Sequence, residues 1–254
     1  MNDHPVEFKS RALDALNAHP FTPPWWLRNP HQQTFWGPIM RKTAPPSFRL
    51  ERWDTPDGDF LRVHLRETAP GRPWLVQLHG LEGSLNSFYV GGLTRAIAPL
   101  GWNTLLMEFR GCGGELNRTC RAYHMGETSD IDFVLRELMQ RAPGAPIYLH
   151  GVSLGGNVVA KWLGEQGERV PVAVRGAVVV SAPFNPAISA PHFHQILYGF
   201  YAWNFLRSLV PKAVALEQRF PGVYDVAAVK ASRDFNAYDT CLLYTSDAAD
   251  DTPC

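Results

Sequence analysis

Ile147-Tyr148-Leu149-His150-Gly151-Val152-Ser153-Leu154-Gly155-Gly156-Asn157 is the stretch from which the rest of the chain is read. The apolar start, Ile147 to Leu149, predicts a short buried strand, and the run from near Asn157 through Trp162 predicts a helix. Between them Gly151-Val152-Ser153-Leu154-Gly155 fits the pattern G-x-S-x-G. Between a strand and a helix this pattern seats the serine on a strained turn and presents its hydroxyl above the sheet. The flanking glycines follow, because a side chain at either place would meet neighbouring backbone. The helix start adds unpaired N–H groups where negative charge would develop. A plain glycine-rich turn would read the same way in isolation. A phosphate-binding loop fits less well, since its Lys-Ser/Thr pair is missing.

Outward from this point, strand and helix patterns alternate. Upstream, Trp74 to Leu78 reads as a buried strand, followed by a glycine-rich turn and a helical run with Leu93, Ile97 and Leu100. Thr104 to Phe109 is the next strand, and Ile131, Val134, Leu135 and Leu138 fall at helical spacing. Ser129-x-x-Asp132 predicts a capping box for that helix, and Pro143-Gly144 its stop. Downstream, Gly176 to Val180 is another strand. Apolar strands alternating with helices mean an α/β fold with a mostly parallel sheet flanked by helices. Before it, Ser47 to Trp53 and Leu61 to Glu67 surround Pro56-Asp57-Gly58-Asp59, a hairpin signal. Residues 1–46, rich in Pro and Trp after Pro20, read as an irregular N-terminal arm, and 47–240 as the main domain. A cap-like segment, 187–210, carries Phe193, Leu197, Tyr198, Phe200, Tyr201, Trp203, Phe205 and Leu206. It is either a buried helix or a cap helix whose aromatic face meets an apolar ligand.

An apolar fraction of 45% with 12% aromatics in 254 residues excludes disorder, collagen and coiled coil. Basic and acidic residues balance at 24 each and no basic run stands out, so nucleic acid is not expected as a partner. No apolar run approaches the roughly 20 residues of a membrane-spanning helix. Met1-Asn2-Asp3-His4-Pro5 does not begin a secretory signal. Cys112, Cys120, Cys241 and Cys254 are too few for a disulfide framework, so a reducing, cytoplasmic setting is expected. Cys112, Cys120 and His124 match no zinc spacing, and neither metal nor cofactor is expected. His192 and His194 read as surface or cap histidines.

The second informative element is His79-Gly80-Leu81-Glu82-Gly83-Ser84, directly after the first strand of the alternation. Acyl transfer needs two backbone donors aimed at the developing oxyanion. The expected pair is the N–H of Leu154, just after the serine, and the N–H of Leu81 in this loop. His79, at the strand end, is expected to be structural.

With these residues in place the chain resembles the YheT-like branch of the α/β-hydrolase superfamily, related to the mammalian ABHD1/2/3-type lipid hydrolases. The resemblance rests on Asn29-Pro30-His31-x-Gln33-Thr34, Pro56-Asp57-Gly58-Asp59, His79 to Ser84 and Arg110-Gly111-Cys112-Gly113-Gly114-Glu115. It extends through Tyr123-His124-x-Gly126-Glu127-Thr128-x-Asp130 and Gly151 to Asn157. It implies a serine carboxylesterase or lipase that cleaves short- to medium-chain acyl esters or lipids through an acyl-enzyme on Ser153. A small-molecule ester or lipid would be the substrate, with peripheral membrane contact as a further expectation. The alternatives are an alcohol O-acyltransferase on the same site and a non-catalytic ligand-binding protein of the same fold.

The family orders its triad as serine, acid, histidine. After Ser153 this chain has only His192 and His194. The triad acid and histidine, and the last two strands, are therefore read as absent. Cys241-Leu242-Leu243-Tyr244-Thr245-Ser246-Asp247-Ala248-Ala249-Asp250-Asp251 resembles the translation of a sequencing adapter. Residues 241–254 are thus expected to be a non-native tail on a gene cut near Thr240, and the chain as it stands to be inactive.

Overall fold

In the computed structural model, six strands form one sheet: β1 (Arg49–Asp54), β2 (Phe60–Arg66), β3 (Trp74–Leu78), β4 (Asn103–Glu108), β5 (Ile147–Val152) and β6 (Val174–Val180). Their order is β1-β2-β4-β3-β5-β6. β3 to β6 are parallel to one another, and β1 and β2 form an antiparallel hairpin whose second strand pairs β4, also antiparallel. The helices are α1 (Pro30–Met40), α2 (Phe88–Ile97), α3 (Ser129–Arg141), α4 (Leu154–Gln166), α5 (Phe200–Arg219) and α6 (Val226–Ala231). The structure describes residues 20–41, 46–185 and 196–233, with Asp14, Asn17, Ala18, Ser189, Phe235, Ala237 and Tyr238. His192, His194, Phe193 and the 241–254 tail lie outside the described residues.

The order carries functional meaning. From β3 the chain passes through α2 to β4 on one side, then returns through α3 to β5 on the other. Such a reversal leaves a crevice at the carboxyl ends of the two diverging strands, where open α/β sheets bind ligands. The loops after β3 and β5 meet there. β3 and β4 are buried at every position, as strands covered on both faces must be. The core of the sheet draws Val76, Leu78, Leu105, Met107 and Leu149 together with Ile131, Val134 and Leu138 of α3 and Val158, Val159 and Trp162 of α4.

Several expectations are corrected. The chain divides into Met1–Lys42 and Thr43–Cys254. The first unit holds α1, an ordered helix where an irregular arm was expected. Asn29 caps it by accepting from the His31 N–H at 2.8 Å, Pro30 opens it, and Trp26 meets Trp36 edge-on at 4.4 Å. The capping box at Ser129 and Asp132 does not form. Ser129 already lies inside α3, and its N–H donates to Glu127 Oε1 at 2.7 Å. Helix α4 begins at Leu154, three residues before the expected start. The aromatic segment yields a helix that runs on to Arg219 through Pro211. It is neither fully buried nor free. Ala202, Leu206, Leu209 and Ala213 face a second apolar cluster with Val229 of α6, while Phe200 and Trp203 stand 43% and 56% exposed.

Among the described residues β6 pairs only with β5, so it forms an edge. Val178 and Val180 are 59% and 39% exposed there, and the strand carries Arg175 as its one charge. Natural edges are protected by charge or proline, and the Val178–Val180 half of this one carries neither. Val178→Lys is expected to lower self-association, read by light scattering over a concentration series, and to leave stability within about 0.5 kcal/mol. Unchanged self-association would show that this edge is not the sticky surface.

Candidate active site

β5 runs into α4 with one residue between them, Ser153, at φ 53° and ψ −119°. A residue with a Cβ occupies such a conformation at a cost of order 1–3 kcal/mol and keeps it only where the surroundings fix it. The Ser153 N–H donates to Val180 O at 2.8 Å, and the Asn157 N–H donates to Ser153 O at 3.1 Å. The serine hydroxyl makes no capping bond to α4 and has no hydrogen-bond partner among the described residues.

The glycines of the motif are steric requirements. A Cβ on Gly151 would lie 2.4 Å from Gly155 O, and one on Gly155 would lie 2.5 Å from His79 O and 2.6 Å from Leu78 O. The start of α4 therefore rests directly on the backbone of β3 and β5. This close packing brings the two loops together: a Cβ on Gly80 would lie 3.2 Å from Ser153 Cβ.

The loop after β3 is pinned at nearly every amide. Gly80 N–H donates to the Tyr89 hydroxyl at 2.8 Å, Glu82 N–H to the Tyr123 hydroxyl at 3.1 Å, and Gly83 N–H to Gly80 O at 2.9 Å. Ser84 N–H reaches Ser87 Oγ at 3.1 Å, and Leu85 N–H reaches Glu108 Oε1 at 3.0 Å. The N–H groups of Leu81 and Leu154 have no partner among the described residues. The two open donors thus belong to the residues that directly follow Gly80 and Ser153, which approach each other closely.

His79 is architectural, as expected. It is fully buried, its Nε2 accepts from the Phe109 N–H at 3.1 Å, and its Nδ1 lies 2.7 Å from Gly80 O. These partners fit the neutral ring protonated on Nδ1. Burial draws its pKa down to about 4. Beside it, Glu108 is buried at the end of β4, with Arg62 Nε at 2.9 Å and His64 Nε2 at 3.1 Å. Burial alone would raise the Glu108 pKa. The His64, Leu85 and Arg62 contacts outweigh it and bring the pKa to about 2.

Sequence reading missed the ionic frame behind these loops. Arg110 is buried and binds Asp130 on α3 at 2.7 Å and Asp57 and Asp59 in the hairpin loop at 2.7 and 3.0 Å. Asp59 also accepts from the Arg118 N–H at 2.7 Å and the Thr119 hydroxyl at 2.7 Å. Burial opposes ionisation of Asp57, yet Arg110, Thr55 and Arg121 hold its carboxyl well below the usual range. The signal was present, since each of these three acids and Arg110 lies in a motif quoted above. Among the described residues, no three His, Cys, Asp or Glu side chains converge to hold a metal. Cys112 instead lies 3.5 Å from Lys212 Nζ, and burial pushes its thiol up to about 11.

The profile of the alpha/beta hydrolase fold matches residues 73–220, more than half of the chain. This chain belongs to the α/β-hydrolase family. Within it the chain falls in the YheT-like branch. It is 37% identical over 227 residues to the putative esterase YheT of Escherichia coli, covering 87% of this chain and 66% of that protein. It is 25% identical to the phospholipase ABHD3 of Mus musculus, covering 91% and 59%. It is 29% identical to the monoacylglycerol lipase of Saccharomyces cerevisiae, covering 67% and 39%. The chain thus spans about two thirds or less of the length of these relatives. Among solved structures the Pyrococcus furiosus esterase Pf2001 shares the fold, with a TM-score of 0.50 and 18% identity over 73% of this chain and 67% of that one. No helix among the described residues is long and apolar enough to cross a membrane.

Two outcomes follow from the packing and the charges. Gly155→Ala forces a Cβ against two backbone oxygens that cannot rotate away. It is expected to cost about 3 kcal/mol or more in urea unfolding, and a loss near zero would mean that α4 does not rest on β3. Stability should also fall with acid in two stages. Between pH 6.5 and about 4 the unfolded chain protonates His79 while the folded chain does not. Below about 4.5 the unfolded chain protonates Glu108, which the folded chain resists down to about 2. A urea midpoint that stays flat from pH 7 to pH 3 would contradict both assignments.

Proposed function

We propose that this protein is a serine esterase in which Ser153 is the nucleophile and the Leu81 and Leu154 N–H groups hold the oxyanion. The observation that carries the reading is the strained Ser153, with an unengaged hydroxyl, beside a loop whose amides are bonded except at Leu81. In this mechanism Ser153 Oγ adds to the ester carbonyl carbon, and the carbonyl oxygen becomes an oxyanion between the two amides. Collapse of that adduct expels the alcohol, which takes up the serine proton, and leaves an acyl group on Ser153. Water then releases the acid. The names of the relatives (esterase, phospholipase, monoacylglycerol lipase) support an acyl ester or lipid as the substrate class.

His192 and His194 apart, the chain has no histidine after Ser153. The reading therefore gives this chain a nucleophile and oxyanion donors but no assigned general base. Loss of a triad member removes several orders of magnitude in rate and leaves the part that the oxyanion site supplies. Acylation by an activated ester should be slow and deacylation slower, so the acyl-enzyme should persist. After incubation with p-nitrophenyl butyrate, peptide mass spectrometry is expected to find one butyryl group on Ser153, with little turnover and none on Ser153→Ala. Butyrylation elsewhere, or none at all, would overturn the assignment of Ser153. Turnover at ordinary enzyme rates would overturn the missing base.

A further inference from the structure

We propose that Lys212 on α5 is a positioning residue for the Leu81 N–H, acting through Glu82, so that the place of α5 sets the readiness of the oxyanion site. The inference rests on the reading of Leu81 as an oxyanion donor. Glu82, Ser153 and Ser181 are the non-glycine residues with positive φ among the described residues, and Glu82 stands at 56°. A glutamate keeps a left-handed backbone only where its neighbours hold it there. Its N–H donates to the Tyr123 hydroxyl at 3.1 Å, and its Oε1 accepts from the same hydroxyl at 2.7 Å and from Lys212 Nζ at 2.7 Å. Tyr123 in turn stacks on Phe109, with centroids 5.3 Å apart, and Phe109 lies against His79.

Leu81 is therefore bracketed. On one side the Gly80 N–H is fixed by Tyr89, on the other the Glu82 N–H is fixed by Tyr123, and the Glu82 carboxylate is tied to α5. The Leu81 side chain doubles this link, because it packs against both the sheet core and the apolar cluster of α5 and α6. The ion pair is mostly sheltered, with the Glu82 side chain 10% and that of Lys212 27% exposed. Withdrawal of the ammonium leaves a carboxylate in a place poor in water, which favours rearrangement of the loop over solvation in place. A ligand or partner that shifts α5 would then disarm the Leu81 donor without touching Ser153.

The test is hydrogen exchange of the full chain, read by mass spectrometry on the peptide covering 80–85 and on α5. Lys212→Met is expected to speed exchange at 80–85 by about tenfold while α5 and β3 keep their protection, and Lys212→Arg to restore it. Glu82→Gln, which keeps the shape and removes the charge, should match Lys212→Met and guards against a variant that does not fold. Unchanged exchange at 80–85 would overturn the proposal, as would faster exchange spread equally over α5. Butyrylation of Ser153 on the same samples separates the two readings. Its absence in the parent chain counts against the esterase, whereas the exchange pattern still decides the role of Lys212.

Discussion

Backbone contact between the first turn of α4 and the ends of β3 and β5 is the constraint on which the rest depends. With 2.4 to 2.6 Å available for any Cβ at Gly151 or Gly155, a larger residue at either place would separate helix from sheet. Closeness of that kind leaves Ser153 no relaxed backbone conformation, so the turn stays sharp. It also brings the His79–Ser87 loop beside the serine instead of leaving a gap for solvent. Strain at Ser153 and proximity of the second loop thus have one steric cause.

Around this contact, the polar groups divide into those that are used up and those that are left over. His79 spends both ring nitrogens on backbone, Glu108 spends its oxygens on Arg62 and the Leu85 amide, and Arg110 is surrounded by three aspartates. Saturated buried groups make a stiff frame, because any rearrangement would leave a charge unpaired in a dry place. Against this frame the open amides of Leu81 and Leu154 stand out.

The parts legible in the sequence are those with a local cause. Strands β3, β4 and β5 each hold a short apolar run (Trp74-Leu75-Val76, Leu105-Leu106-Met107, Ile147-Tyr148-Leu149), and the serine turn is written in five consecutive residues, so both could be read directly. Asn29-Pro30 also holds a local signal, a cap followed by a helix-opening proline, which the surrounding Pro and Trp content obscures. The failed capping box has a different origin. Ser129 has the right residue type and spacing, but Glu127 already occupies its amide and Arg110 draws Asp130 inward, so tertiary charge pairing overrides a local preference. The Arg110 frame and the Glu82–Lys212 pair join positions 20 to 130 residues apart. Periodicity carries no information at that range.

Pro211 gives α5 an uneven mechanical character. Proline has no N–H to return to the carbonyl four residues earlier, so the rung that would end on Arg207 is missing from the middle of the helix. A rod lacking one rung is most compliant at that rung. The aromatic end, with Phe200 and Trp203, precedes this soft point, and Lys212 follows it directly. Bending forces applied to the exposed aromatics are therefore absorbed before they reach the ion pair, whereas displacement of the whole rod is transmitted. The proline acts as a mechanical filter, passing translation and damping tilt.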